Sequence, residues 1–164
     1  MPSDKDIERR EEAERLLEEG NLRHRDGDVD GAIESYQASI AAFPTAEAHT
    51  FLGWMYSLQD RLDEAIEQCK IAISVDPSFG NPYNDLGVYL MQRGELDEAE
   101  KWLERAMTAE RYEPRHFPHL NLGRIHLMRH DYGRALEEFR QALASSPTDR
   151  TALTLYRRLV ARLN

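Results

Sequence analysis

Apolar residues recur every three to four positions along most of the chain, and short polar stretches interrupt this pattern at regular intervals. A spacing of three to four residues is typical of a helix with one apolar face, and polar turn residues end such a helix. The interruptions read RDGDVD, LQDRLD, QRGELD and RHDYGR. The pattern therefore predicts four helical hairpins, each made of a first helix (helix A), a turn and a second helix (helix B).

Each predicted hairpin carries a glycine in helix A and, twelve residues later, an alanine in helix B. A glycine inside a helix is less favourable than alanine by about 1 kcal/mol, so a repeated glycine needs a reason. The constant interval predicts that the two helices cross there too closely for a larger side chain. The pairs are Gly20 and Ala32, Gly53 and Ala65, Gly87 and Ala99, and Gly123 and Ala135; a further small residue follows each alanine after seven positions, at Ser39, Ala72, Ala106 and Ala142.

The hairpins repeat with glycine-to-glycine periods of 33, 34 and 36 residues. A hairpin of this kind cannot bury its apolar face alone, so neighbouring units must stack on one another. The sequence therefore predicts an all-α solenoid of four repeats, which span residues 13–45, 46–79, 80–115 and 116–147.

The repeated residues resemble the tetratricopeptide repeat, whose pattern places Leu-Gly, aromatic, alanine and proline residues at fixed positions in 34 residues. That resemblance implies a right-handed superhelical solenoid of antiparallel helix hairpins that acts as a non-enzymatic scaffold for protein–protein interaction. The matching residues are Gly20, Ala32, Tyr36 and Pro44 in unit one; Leu52, Gly53, Tyr56, Ala65, Ala72 and Pro77 in unit two; Tyr83, Leu86, Gly87, Ala99, Leu103 and Ala106 in unit three; and Leu122, Gly123, Ala135, Phe139, Ala142 and Pro147 in unit four.

The two ends of the chain predict elements that flank the repeats. Residues 1–12 are almost entirely charged and predict a solvated helical extension that continues into the first unit, with Ser3 or Asp4 as its N-cap. Residues 148–164 place apolar side chains on one helix face and predict a C-terminal capping helix, with Thr148 or Asp149 as its N-cap.

The connection between units three and four, TAERYEPRHFPHLNLG, is two residues longer than the others and contains Pro114 and Pro118. We expect the longer loop to lie at one edge of the groove. Lipoproteins that assist type IV pilus assembly are similar in carrying repeats with a proline-containing lengthening, a likeness that concerns the fold alone.

Composition narrows the possible partners. The chain has 164 residues, of which 41% are hydrophobic and 31% charged, and its net charge of −9 argues against a nucleic-acid partner. No apolar run approaches the 18 residues of a membrane span, and the first residues carry no apolar leader, so we expect a cytoplasmic protein without membrane insertion. One cysteine, Cys69, cannot form an internal disulfide, and it falls at a core position where an inert thiol is expected.

Histidines form the one cluster that could carry chemistry: His116, His119, His126 and His130. The last two, spaced i and i+4, could share a metal on one helix face. No cysteine or well-placed carboxylate completes such a site, and His119 and His126 fall at positions where the family places large packing residues. We therefore expect packing histidines, no metal, no cofactor and no enzymatic activity.

In the family that the chain resembles, the concave surface is lined by fixed positions of helix A. Carried over, these positions predict a partner-binding groove that accepts an extended or helical peptide with apolar side chains, held partly by asparagine amides. A carboxylate-binding clamp is not expected, because Leu17 and Phe51 stand where such a clamp needs polar or basic groups. The predicted groove residues are Asn21, His24, Thr50, Trp54, Ser57, Asn81, Asn84, Val88, Met91, Phe117, Leu120, Arg124, Leu127 and Met128.

The charge distribution leaves an alternative open. Acidic residues dominate near the N-terminus, whereas the C-terminal helix carries Arg150, Arg157, Arg158 and Arg162. Such ends would permit head-to-tail contacts, so a self-assembling structural protein, a homo-oligomer, is the second hypothesis.

Overall fold

The computed structural model describes residues 1, 3–113 and 115–164, and the described residues form nine helices. Pro114, which the sequence analysis singled out, lies outside the described residues. The helices are α1 Asp4–Arg25, α2 Val29–Ala42, α3 Ala46–Leu58, α4 Leu62–Val75, α5 Asn81–Gln92, α6 Leu96–Thr108, α7 His116–Met128, α8 Tyr132–Ser145 and α9 Arg150–Leu163.

Helices α1 to α8 form the four predicted hairpins, with the odd-numbered helix of each pair as helix A. The same turn position is left-handed in all four connections: Gly27, Asp60, Gly94 and His130 have φ values of 84°, 60°, 81° and 60°. Each helix also contacts the next one along the chain, and α3 contacts α5, which contacts α7. The hairpins thus stack into an all-α superhelical solenoid in which these A helices share one face.

The predicted close helix crossings are confirmed. A Cβ atom added at Gly123 would lie 2.4 Å from the ring of Phe139, and one added at Gly87 would lie 2.6 Å from Leu103. At Gly53 the nearest atom is instead the backbone oxygen of Ala65, at 3.1 Å. All four repeat alanines are fully buried. At Gly87 and Gly123 the facing side chain would therefore have to move to admit even a methyl group.

Ion pairs and hydrogen bonds tie each unit to the one before it. Arg93, just after α5, donates to Asp63 at the start of α4 at 2.8 Å, and Arg129, just after α7, donates to Asp97 and to Glu100. These side chains are partly exposed, so each pair contributes at most about 1 kcal/mol. They fix the register between neighbours more than they stabilise the fold.

Side-chain caps and a covering helix lie at the ends of the stack. Ser3 caps α1 by accepting a hydrogen bond from the Asp6 amide, and Asp149 caps α9 by accepting one from the Ala152 amide at 2.7 Å. Helix α9 covers the last hairpin with Ala152 and Leu159, which are both buried. In the described part of the chain, no helix has the length and apolarity needed to cross a membrane.

The longer loop between α6 and α7 is held by the connection between α4 and α5. Gly80 donates to the backbone oxygen of Arg111 at 3.0 Å, and the Arg111 amide donates to the backbone oxygen of Ser78 at 2.9 Å. This short backbone pairing was not predicted. It brings Tyr112 into the interior, where the tyrosine is buried against Gly80.

Gly123→Ala tests the close crossing. We expect it to destabilise the protein by about 2 kcal/mol, because the added methyl group would collide with the fully buried ring of Phe139 and outweigh the gain in helix propensity. Urea denaturation measures the difference.

Gly133→Ala is the matched control, since Gly133 lies in the first turn of α8 and the nearest atom to its Cβ position is a carboxylate oxygen of Asp131 at 4.0 Å, an ordinary contact distance. This variant should be neutral or more stable by up to about 1 kcal/mol. Equal effects of the two substitutions would show that the crossing at Gly123 is not tight.

Candidate functional site

A cavity of about 670 Å³ lies along the shared face of α3, α5 and α7. The loop before α7 and the start of α9 complete its wall. Its lining combines apolar, aromatic and polar side chains: Thr50, Phe51, Trp54, Ser57, Leu58, Asn81, Asn84, Asp85, Val88, Tyr89, Gln92, Tyr112, Phe117, Leu120, Asn121, Arg124, Asp149 and Thr151.

The structure brings nine of the fourteen predicted groove residues together in this cavity. They come from all three A helices, as the repeat positions require. These residues are Thr50, Trp54, Ser57, Asn81, Asn84, Val88, Phe117, Leu120 and Arg124.

The other five predicted residues do not line the cavity. Asn21 belongs to the first hairpin, where its side-chain oxygen accepts a hydrogen bond from the Tyr36 hydroxyl at 2.9 Å, and His24 packs its ring edge against Trp54. Met91 and Leu127 pack against hydrophobic clusters between helices, because their position in helix A points toward the core. Met128 is exposed at the end of α7, away from the cavity.

Several lining residues were missed. Phe51, Asp85 and Asn121 each precede the repeat glycine of their helix by two residues, a position that the predicted set left out. The constant distance to the glycine is the sequence signal that could have found them. Tyr112 could not be found in this way, because it enters the cavity from the irregular loop.

Exposed aromatic side chains lie at two sides of the cavity. Trp54 on α3 is 43% exposed although its ring lies 4.5 Å from that of His24, and Phe117 on α7 is 40% exposed. Val88 and Leu120 lie on α5 and α7 in the same lining. Packing against neighbouring helices therefore covers these aromatic rings only in part.

A chain of hydrogen bonds crosses the cavity from α7 to α5. The guanidinium of Arg124 donates to the Asn121 side-chain oxygen at 3.1 Å, and the Asn121 amide donates to the Asn84 side-chain oxygen at 3.1 Å. The Asn84 amide in turn lies 3.4 Å from a carboxylate oxygen of Asp85. Every bond points the same way, because Arg124 can only donate and an ionised Asp85 can only accept.

This series of hydrogen bonds occupies part of the asparagine amides that the sequence predicts to hold a peptide. Asn84 and Asn121 are buried, with 8% and 4% of their surfaces exposed. The side-chain oxygen of each accepts a hydrogen bond from a neighbouring side chain. Their amides thus bond units three and four to each other. Each retains one N–H and one lone pair of its side-chain oxygen for a ligand.

The hydrogen-bond series ends in two charged groups, Arg124 and Asp85, which have no ion-pair partner among the described residues. Within residues 1, 3–113 and 115–164, no carboxylate lies within 4.0 Å of the Arg124 guanidinium, and no cationic group lies that close to Asp85. Burial raises the pKa of Asp85 from 3.8 to about 7, and the hydrogen bond from Asn84 acts in the opposite direction. The cavity thus contains a carboxyl group that titrates near neutral pH.

None of the histidines lines this cavity. His119 Nδ1 lies 2.8 Å from a carboxylate oxygen of Glu138, and the equivalent His49 in unit two lies 2.7 Å from Gln68 Oε1. His126 is buried, whereas His130 lies beyond the end of α7 at the left-handed turn position, so these two do not share a helix face. Across residues 1, 3–113 and 115–164, no group of three or more potential ligands is arranged to hold a metal.

Cys69 is fully buried in the core, as predicted. Burial raises the pKa of its thiol well above the ordinary value, and the nearby carboxyl of Asp85 adds to the shift. Such a thiol is a poor nucleophile.

Comparison with known proteins identifies the repeats. Two family models, both described as tetratricopeptide repeat, match residues 17–82 and 79–147. The small glutamine-rich tetratricopeptide repeat-containing protein 2 of Mycosarcoma maydis is 31% identical over 110 residues, which are 66% of this chain and 30% of the relative. Its namesake from Saccharomyces cerevisiae is 30% identical over 111 residues, 67% of this chain and 32% of the relative. The chain thus spans about a third of the length of these curated relatives.

Solved structures share the fold. The structure of Pseudomonas aeruginosa PilF has a TM-score of 0.88 at 21% identity, over 94% of this chain and 70% of that chain. The second TPR of Spaghetti (RPAP3), bound to the HSP90 peptide SRMEEVD, has a TM-score of 0.62 at 25% identity, over 66% of this chain and 100% of that chain.

Titration of Asp85 should make stability depend on pH. Between about pH 4 and pH 7 the unfolded chain releases this proton and the native protein keeps it, so stability falls as the pH rises through that window. In Asp85→Asn this loss is absent. We therefore expect the variant to gain about 2 kcal/mol relative to the wild type between pH 5 and pH 7.5.

Urea denaturation of both proteins at the two pH values measures this difference, and all other titrating groups cancel in the comparison. A stability difference that stays constant between pH 5 and pH 7.5 would contradict the raised pKa of Asp85.

Proposed function

Because the chain belongs to the tetratricopeptide-repeat family, we propose that it is a non-enzymatic interaction module whose cavity between α3, α5 and α7 binds a segment of a partner protein. The observation that carries this proposal is the cavity itself, in which exposed aromatic side chains and an arginine meet on one concave face. Aromatic and arginine side chains are enriched at protein interfaces and contribute most of their binding energy.

The partner segment presents apolar side chains to the groove. Trp54, Phe117, Val88 and Leu120 supply its apolar contacts, and Arg124 supplies a donor for a carbonyl or carboxylate oxygen of the segment. The RPAP3 domain is similar in fold and binds an HSP90 peptide, which supports a peptide as the occupant. In this chain the apolar ring of Phe51 lines the groove, which favours an occupant with apolar side chains over a carboxylate-only anchor.

The expected affinity is modest. The cavity offers only a few exposed anchor side chains, and a short segment loses conformational freedom when it is ordered on the protein. We propose a dissociation constant of about 1 μM, which corresponds to about −8 kcal/mol. A cytoplasmic location and self-assembly through the charged ends stay predictions of the sequence.

The double variant Trp54→Ala and Arg124→Ala tests the groove. Peptides are first selected on the wild-type protein from a display library of random twelve-residue sequences, and their affinities are then measured by fluorescence anisotropy. We expect the double variant to weaken binding at least tenfold with unchanged helix content, because both side chains are exposed, and to lower the melting temperature only slightly, because Asn121 loses its hydrogen bond from Arg124.

Met128→Ala is the matched control. Met128 is 55% exposed on the same helix as Arg124 but does not line the cavity, so its removal should leave peptide affinity unchanged. If the double variant unfolds, or binds the selected peptides as tightly as the wild type, the groove assignment is wrong.

A further inference from the structure

Asp85 is a carboxyl group in the wall of the cavity for which the fold itself provides no cation. Its one side-chain hydrogen bond comes from the neighbouring Asn84 amide at 3.4 Å, which is long. Asp85 is partly exposed to the cavity, and a largely desolvated carboxylate without a cation is unfavourable and is normally paired or neutralised. The carboxylate of Asp85 is therefore a hydrogen-bond acceptor without a cationic partner among the described residues, and a ligand in the groove would lie against it.

In the part of the chain that the structure describes, the groups packed around Asp85 carry no positive charge. The buried thiol of Cys69 approaches from α4, and the phenols of Tyr89 and Tyr112 approach from α5 and from the inserted loop. The nearness of Asp85 contributes to the raised pKa of each of these groups, so they remain neutral at physiological pH.

The remaining charged groups in the cavity wall are occupied or distant. Asp149 accepts the capping hydrogen bond of α9 and lies 3.7 Å from His116. Arg124 is separated from Asp85 by the amides of Asn121 and Asn84, and it donates to the first of them. Arg124 therefore does not neutralise the carboxylate by direct contact.

The structural role of this side chain does not require a charge. An asparagine would accept the same hydrogen bond from Asn84, as Asn121 does from Arg124 at the equivalent position of α7. A carboxylate at this place makes the folded protein less stable at neutral pH. Side chains that destabilise the folded protein and line a cavity are characteristic of binding sites.

We propose that the partner segment carries a basic side chain, lysine or arginine, that pairs with the carboxylate of Asp85 inside the groove. This proposal rests on the proposed function of the same cavity and names the chemistry of its occupant. The net charge of −9 attracts such a segment at a distance. Arg124, at the other end of the series of amide hydrogen bonds, sets the direction in which the partner segment lies in the groove. Its guanidinium repels a basic side chain and favours a carbonyl oxygen or an acidic side chain.

Library selection on three forms of the full chain tests the pairing. The probe is the display library of random twelve-residue peptides, selected in parallel on the wild type, Asp85→Asn and Asp85→Lys. We expect lysine or arginine beside apolar residues to be enriched on the wild type, no basic preference on Asp85→Asn, and enrichment of aspartate or glutamate on Asp85→Lys. Circular dichroism confirms that each variant is folded, and the nearly isosteric Asp85→Asn keeps the test valid if Asp85→Lys is not.

A double-mutant cycle then isolates the contact. Replacing the enriched lysine of a selected peptide by norleucine should weaken binding to the wild type at least tenfold and binding to Asp85→Asn less than twofold. The affinity of the lysine peptide for the wild type should also rise between pH 6 and pH 8, and its affinity for Asp85→Asn should stay constant, because lysine itself titrates near pH 10.4.

The outcomes separate this inference from the function on which it rests. Peptides that lose binding in the Trp54→Ala and Arg124→Ala variant, but show no basic preference and bind Asp85→Asn equally well, would overturn the pairing and leave the groove function intact. A library that yields no peptide whose binding depends on Trp54 and Arg124 would overturn both. Pairing is supported when basic enrichment, coupling to Asp85 and pH dependence occur together.

Discussion

The close crossing of helix A and helix B at each repeat glycine is the contact on which the rest of the structure depends. Sixteen residues after Gly20, Gly87 and Gly123 come Tyr36, Leu103 and Phe139, and each of these side chains lies against the bare backbone of its glycine. Such a contact fixes how near the two helices can come and which face of helix A turns away from helix B. Together with the backbone contact between Gly53 and Ala65 in unit two, it aligns the outward faces of α3, α5 and α7 into one surface.

Local regularity explains how much could be predicted from the sequence. The hairpins, their turns, the glycine crossings and the capping residues follow from spacings within one unit, so the pattern alone was sufficient. The contacts that shape the candidate site cross between units. Asn121 meets Asn84 across 37 positions of the chain, and Arg111 pairs with residues 78–80 because a lengthened loop folds back. No periodicity encodes either contact, since each occurs once.

The amide chain across the groove also explains why polar residues lie there at all. Buried amides are tolerated when each finds a partner, and a chain that ends in a donor-only group and an acceptor-only group orients every amide in it. Asn84 and Asn121 are oriented in this way by Arg124 and Asp85. The result is a rigid polar seam between units three and four. Its charged ends border the space that a ligand would fill, so binding and inter-repeat packing share the same side chains.

The inserted loop before α7 and the start of α9 close the groove at its ends. Tyr112 comes from the inserted loop, and Asp149 and Thr151 come from the start of α9, yet all three line the same cavity as the regular A helices. An array of identical repeats would leave an open trough, whereas here the lengthened loop and the capping helix bound the trough to about 670 Å³. A space of that size accepts a few side chains at a time. Discrimination between partners must therefore come from a small number of contacts. An unpaired charge in such a confined site has a larger effect on selectivity than an apolar wall, because a mismatched group beside it would lose its water without gaining a partner.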